Sequence, residues 1–204
     1  MEDLLDLYAE PYDPRRPVVC LDERPYALLG DVQDPLLMGP GQPQRVDYEY
    51  ERHGSCNLFL VFQPLQGWRQ VSVTERRTSE EFAWQIKRLV DEAFPEAEVI
   101  RVVLDNLNTH TPAALYQTFP PEEARRLTRK LEFHYTPKHA SWLNMVEIEF
   151  SILARQCLNR RLPEREEVQR EVQAWAETRN AARATVEWRF TTADARLKFH
   201  RLYP

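Results

Sequence analysis

The chain has 204 residues, 43% of them hydrophobic and 29% charged, with a formal net charge of −5, which bounds it to one globular domain with a full-sized core. No run of about 18 apolar residues is present, and the acidic start Met1-Glu2-Asp3 lacks the basic-then-apolar order of a secretory signal, so neither a membrane protein nor a secreted one is expected. Cys20, Cys56 and Cys157 are odd in number, far apart and without a Cys-x-x-Cys pair, so they read as buried reduced thiols of a cytoplasmic protein, not as a zinc site or a disulfide framework. Residues 1–10 form a short helix stopped by Pro11 and Pro14, and residues 1–16 make a linker-like lead into the domain proper, 17–204. The apolar run from Val18 predicts the first strand, ending at Asp22. The stretch 31–44, rich in Pro and Gly, reads as a loop beside a hairpin. Ser55–Phe62 is a strand broken by Pro64 and Gly67, and Trp68–Thr74 alternates as its antiparallel neighbour. Thr78-Ser79-Glu80-Glu81 has the form of a capping box, followed at helical spacing by Phe82, Ile86, Leu89, Val90 and Ala93. Glu98–Leu104 is a buried strand. Residues 112–130 are helical in two pieces split at Pro120-Pro121, and Leu131–Tyr135 is a short strand. Ser141 caps a long helix to about Asn159, with Leu143, Val146, Phe150, Leu153 and Cys157 on one stripe. A helix follows over about 164–179, and one more fits the tail, 189–204. Strands first and then alternating helices and strands predict an α/β fold, an RNase H-like mixed five-stranded sheet flanked by helices.

Three acids stand where a metal-dependent nuclease needs them. Asp22 and Asp105 each close an apolar strand, and Glu147 sits in the helix that begins near Ser141. Carboxylates gathered at one edge of a sheet repel each other unless a positive charge lies among them, and divalent metal ions supply it. Each acid has a rival. Glu23 follows Asp22, and successive strand side chains face opposite sides, so only one of them serves a given site. Glu149 lies about 200° around the helix from Glu147, and periodicity places it somewhat further toward solvent. On spacing alone, solvated surface acids explain the pattern better than a metal site does. The acidic net charge argues mildly against nucleic acid, but basic residues cluster at Arg76-Arg77, Arg125-Arg126, Arg129-Lys130, Lys138-His139, Arg155 and Arg160-Arg161. No phosphate-binding glycine loop, nucleophile elbow or dinucleotide fingerprint is present, so nucleotide-driven and serine-hydrolase chemistry find no support.

The segments Val19-Cys20-Leu21-Asp22-Glu23, Val103-Leu104-Asp105-Asn106-Leu107-Asn108-Thr109-His110 and Thr136-Pro137-Lys138-His139-Ala140-Ser141-Trp142-Leu143-Asn144-Met145-Val146-Glu147 resemble, in order, the three motifs of bacterial insertion-sequence transposases of the Tc/mariner superfamily, which carry a DDE endonuclease domain. The stretches from Pro40 to Gly54 and from Ala184 to Thr192 are similar to that group as well. The resemblance implies an RNase H-like catalytic domain with Asp22, Asp105 and Glu147 as catalytic and metal-holding triad, choosing Glu147 over Glu149. It implies two Mg²⁺ ions, replaceable by Mn²⁺, hydrolysis of a phosphodiester at transposon ends, and transfer of the freed 3′-OH into target DNA. Lys138, His139, Asn108 and His110 become candidates for DNA contact or for ordering the ligands. The family's helix motif has Pro-Ile where this chain has Met145-Val146, a departure expected to make the helix more regular. The resemblance further implies DNA as partner, a homodimer on DNA, a location on the bacterial nucleoid in the cytoplasm, and a separate helix-turn-helix polypeptide as a possible reader of the terminal repeats. The rival expectation is a catalytically idle, truncated transposase acting as a dimerisation or regulatory module.

Overall fold

The computed structural model describes residues 1–33, 39–41 and 47–202. Much of the expected 31–44 loop, and part of the family-like stretch from Pro40, lies outside the described residues. Helix α1 (Glu2–Ala9) leads into strands β1 (Val18–Asp31), β2 (Tyr50–Gln63) and β3 (Trp68–Thr74). Helix α2 (Ser79–Arg88) runs into a π-helical turn, Leu89–Ala93, before β4 (Ile100–Leu104). Helices α3 (Pro112–Thr118) and α4 (Pro121–Thr128) precede β5 (Leu131–Tyr135), and α5 (Val146–Gln156), α6 (Arg165–Ala181) and α7 (Thr192–Lys198) complete the chain. The five strands lie in the order β3-β2-β1-β4-β5. β1 pairs antiparallel with β2 and parallel with β4, so the sheet is mixed, as expected for an RNase H-like domain.

Strand alternation divides the core. Val18, Cys20, Leu58, Leu60, Phe62 and Val103 face a layer built on α1, α5, α6 and α7, whereas Val19, Leu21, Phe59, Val61, Val102 and Leu104 face α2, α3 and α4. The expected linker segment therefore contributes to the core itself. Leu4, Leu5, Leu7 and Tyr8 of α1 are buried, and the Tyr8 hydroxyl donates to the Leu143 carbonyl at 2.7 Å. Cys20, Cys56 and Cys157 are free and buried.

Two expectations are corrected. The first strand does not end at Asp22 but continues to Asp31, through Pro25 and a bulge at Leu28/Leu29. The β1–β4 ladder stops at Cys20↔Val103, so beyond it β1 has a neighbour only on the β2 side. A proline, which has no N–H to give, is tolerated in a strand with one open side. The helix expected from Ser141 to Asn159 is broken. A short 3₁₀ turn, Ser141–Leu143, is followed by Asn144 in extended conformation, and the α-helix starts only at Val146. Asn144 is the cause: its Nδ2 donates to the Leu21 carbonyl at 3.0 Å and its Oδ1 accepts from the Val146 N–H at 3.3 Å. A side chain that satisfies backbone groups in this way competes with helix continuation. Met145 and Val146 in place of Pro-Ile thus do not make the helix continuous.

The outer edge of β3 is closed by α6. The Arg69 N–H donates to Asn180 Oδ1 at 2.8 Å, Asn180 Nδ2 donates back to the Arg69 carbonyl at 2.8 Å, and the Val73 N–H donates to Gln169 Oε1 at 3.1 Å.

Candidate active site

The register of the parallel pair builds the site. Val18, Val19 and Cys20 stand opposite Arg101, Val102 and Val103. The same offset carried forward sets Asp22 opposite Asp105, where β4 leaves the sheet and β1 continues. Strand parity then assigns the faces. Asp22 follows Cys20 onto the α5 side, and Glu23 follows Leu21 onto the α2 side. The staple from Asn144 to the Leu21 carbonyl holds the entry to α5 beside Asp22, and Glu147 follows in the first turn of that helix.

The electrostatics match this placement. Asp22 is pushed up to about 7 by burial, against the lowering effect of the hydrogen bond from the Glu23 N–H (2.8 Å), with the charges of Asp105, Glu23 and Glu147 adding to the rise. Among the described residues no lysine, arginine or histidine forms an ion pair with Asp22 or Glu147. Among the described residues, no group of three or more His, Cys, Asp and Glu side chains is placed so that it could hold a metal ion. Asp105, Glu23 and Glu147 lie near enough to Asp22 for their charges to raise it.

His110 is fully buried, packed on the Phe82 ring at 4.8 Å between centroids. Its Nδ1 lies 2.6 Å from Asp105 Oδ1. Its Nε2 is 2.9 Å from Glu23 Oε2 but too bent for a hydrogen bond, so that contact is one of charge. Burial pulls the imidazole down, but Asp105 and Glu23 outweigh it and raise His110 to about 9. A protonated ring thus bridges the two carboxylates at neutral pH. This burial leaves His110 no surface for a DNA phosphate, and its place is that of a residue orienting Asp105. Glu23, considered only as a rival to Asp22, is the buried counterion on the opposite face. Alternation signalled that it faces away, but nothing in the sequence paired it with His110.

Lys138 and His139 are exposed on the connection between β5 and α5, with His139 at φ 64°. Asn108 is exposed on the loop leaving β4. Glu149, expected further toward solvent, is fully buried: Arg179 Nη2 donates to it at 2.8 Å and Arg69 Nε lies 2.9 Å away. Of the basic clusters, Arg126 is tied to Glu123 and Asp91 as part of a solvated helix face. A groove of about 1100 Å³ lies between β3, α2 and α6 and is lined by none of Asp22, Glu23, Asp105 and Glu147.

A sheet of this order, with carboxylates gathered where its central parallel strands separate and on the helix facing them, defines an RNase H-like domain with an acidic site. The chain belongs to the DDE superfamily endonuclease family, whose model matches residues 17–169. It is similar in fold to the crystal structure of the Mos1 mariner paired end complex with Mn, with a TM-score of 0.55 and 18% identity over 95% of this chain and 60% of that one. The Mos1 strand transfer complex gives a TM-score of 0.56 and 18% identity over 90% of this chain and 54% of that one. A pre-cleavage Mos1 transpososome gives 0.53 and 15% over 90% of this chain and 59% of that one. The chain therefore spans little more than half the length of the structures it matches. No curated protein matches it in sequence. No helix among the described residues is long and apolar enough to cross a membrane.

Proposed function

We propose that this chain is the catalytic domain of a DNA transposase, which cleaves phosphodiesters at transposon ends and joins the freed 3′-OH to target DNA. One observation supports the reading: burial and the charges of Asp105, Glu23 and Glu147 push Asp22 up to about 7, as crowded carboxylates at one edge of the sheet require. Asp22, Asp105 and Glu147 are the residues that would hold divalent ions, two Mg²⁺ with Mn²⁺ as substitute. Bound there, such ions would lower the pKa of an attacking water and offset charge at the leaving oxygen. Asp22 releases its proton as the site is filled. His110 fixes the orientation of Asp105 through its Nδ1, and Glu23 keeps the ring charged. Lys138 and His139 contact phosphate beside the site, with Asn108 on the facing loop. Water attack at phosphorus breaks the bond to the 3′ oxygen; in the second step that 3′-OH attacks a target phosphodiester, forms the new P–O bond and releases the target strand's 3′ oxygen as a hydroxyl. Two ends joined together favour a homodimer on DNA at the bacterial nucleoid, with a separate helix-turn-helix polypeptide as a candidate reader of the terminal repeats.

The test is cleavage of element-end DNA with Mg²⁺ or Mn²⁺. Activity that survives Asp105→Asn removes the site assignment. Calorimetric titration with Mn²⁺ at neutral pH separates this reading from an idle regulatory module, which binds no divalent ion.

A further inference from the structure

Trp142 stands apart from the other aromatic residues around the site. It is 45% exposed, although it belongs to an aromatic cluster. Trp188 stacks on it at 6.1 Å and 20°, while Phe190 at 5.9 Å and Phe199 at 6.3 Å meet it edge-on or tilted. Trp188 is itself backed by Tyr8 of α1 at 5.3 Å. The indole is thus supported by rings and partly bare, a rigid surface with little entropy left to lose.

Its position gives that bare area a purpose. Trp142 lies in the 3₁₀ turn between β5 and α5. Asn144, bonded to the Leu21 carbonyl, ties that turn to the residue before Asp22, leaving roughly 7 Å of chain at full extension between the staple and Trp142. The exposed side chains of Lys138 and His139 precede it on the same connection, and Lys198 lies over the Phe190 ring at 5.7 Å. Aromatic faces interleaved with cations are how proteins hold unpaired nucleic acid strands: the cations follow the phosphates and the rings stack on the bases. Within a continuous duplex both faces of each base are covered by its neighbours, so an interior base must leave the stack to use this surface.

We propose that Trp142 is a stacking platform for an unpaired base of the DNA strand next to the acidic site, with Lys138 and His139 holding the adjoining phosphates. This rests on the DNA-processing function proposed above and adds a preference, for frayed or flanking single-stranded DNA over continuous duplex. Trp142 makes no contact with a reacting atom; it is a positioning residue.

The test uses the full chain with Ca²⁺ in place of Mg²⁺, so that binding is read without turnover. Two probes are compared: a forked DNA carrying 2-aminopurine in its unpaired arm, and the same sequence fully paired. Wild type is expected to prefer the fork and to quench 2-aminopurine on binding. Trp142→Leu, which keeps apolar bulk for Phe190 and Phe199, is expected to lose the quenching and to bind the fork roughly 5- to 150-fold more weakly, the range that stacking on one aromatic side chain spans. Its affinity for the paired probe should change little, and Trp142→Phe should restore part of both signals. Equal wild-type affinity for the two probes without quenching overturns the proposal and leaves the transposase reading intact. So does a Trp142→Leu variant, folded by its melting curve, that binds and quenches like wild type. A wild-type chain that binds neither probe overturns both.

Discussion

Removing the Glu149 carboxylate tests how α5 is held against the sheet. Glu149 and Arg69 are both fully buried, and Arg179 is mostly buried, with a side chain 17% exposed. Arg69 has other partners: it donates to Asn180 Oδ1 at 3.3 Å and to the Ala184 carbonyl, and its guanidinium lies 5.2 Å from the Phe62 ring. None of these is an anion. In Glu149→Ala, Arg179 can turn toward water, but Arg69 stays as a buried cation with no counterion, because arginine does not give up its proton. Breaking a buried pair by removing one partner costs about 3–5 kcal/mol. For a domain of this size about 2–4 °C of melting temperature accompanies each kcal/mol, so the expected fall is roughly 6–20 °C. Thermal and urea unfolding followed by circular dichroism measure it. The double variant Arg69→Met/Glu149→Leu should recover most of the loss, since an apolar replacement of both partners removes the uncompensated charge. If Glu149→Ala loses less than about 1 kcal/mol, or if the double variant is as unstable as the single, the buried-charge reasoning fails.

The acidic edge gives a second expectation. Asp22 is raised in the folded state to about 7, so its contribution to stability is present at low pH and is lost as pH rises through about 7. Without metal, Asp22→Asn should therefore be more stable than wild type above that pH, by on the order of 1–2 kcal/mol after allowance for solvent screening. Mn²⁺ competes with the proton on Asp22, so its binding should tighten as pH rises through 7, with about 2.7 kcal/mol of stabilisation at a hundredfold excess over Kd. A Mn²⁺-induced melting shift that survives undiminished in Asp22→Asn would contradict this. His110 supplies a third expectation. Its folded-state value of about 9 means that its contribution is complete below the unfolded value and is lost as pH rises through 9. His110→Phe keeps the contact with Phe82 but strands the buried Glu23 carboxylate, at a cost of about 3 kcal/mol. Adding Glu23→Gln should restore much of that, and the high-pH decline should disappear; urea unfolding between neutral and alkaline pH measures both.

Much of this architecture was legible because it rests on local rules. Alternation located β3, and a short run stopped by Pro137 located β5, at their observed bounds, and paired prolines divided α3 from α4. What was hidden depends on contacts between distant segments. Nothing local says that β1 passes through Pro25, because the reason is the end of the β4 ladder. The break before α5 comes from Asn144 reaching Leu21 on another strand. Periodicity placed Glu149 toward solvent because an apolar stripe cannot foresee arginines arriving from β3 and α6. The acids Asp22 and Glu23 were separable in principle by parity, but which face carried the site required the sheet. Sequence pattern could rank Asp105 and Glu147 as candidates only, and it was the motif resemblance that singled out the trio.

The closure of β3 by Asn180 and Gln169 bears on what happens when two copies of this chain meet. An open strand edge is a template that accepts any second edge. Here α6 offers side-chain amides where a neighbouring strand would offer its backbone, which blocks fusion of two sheets through β3. Partial unfolding or truncation that frees α6 would uncover the edge and favour aggregation, making that helix a guard of solubility as well as a part of the core.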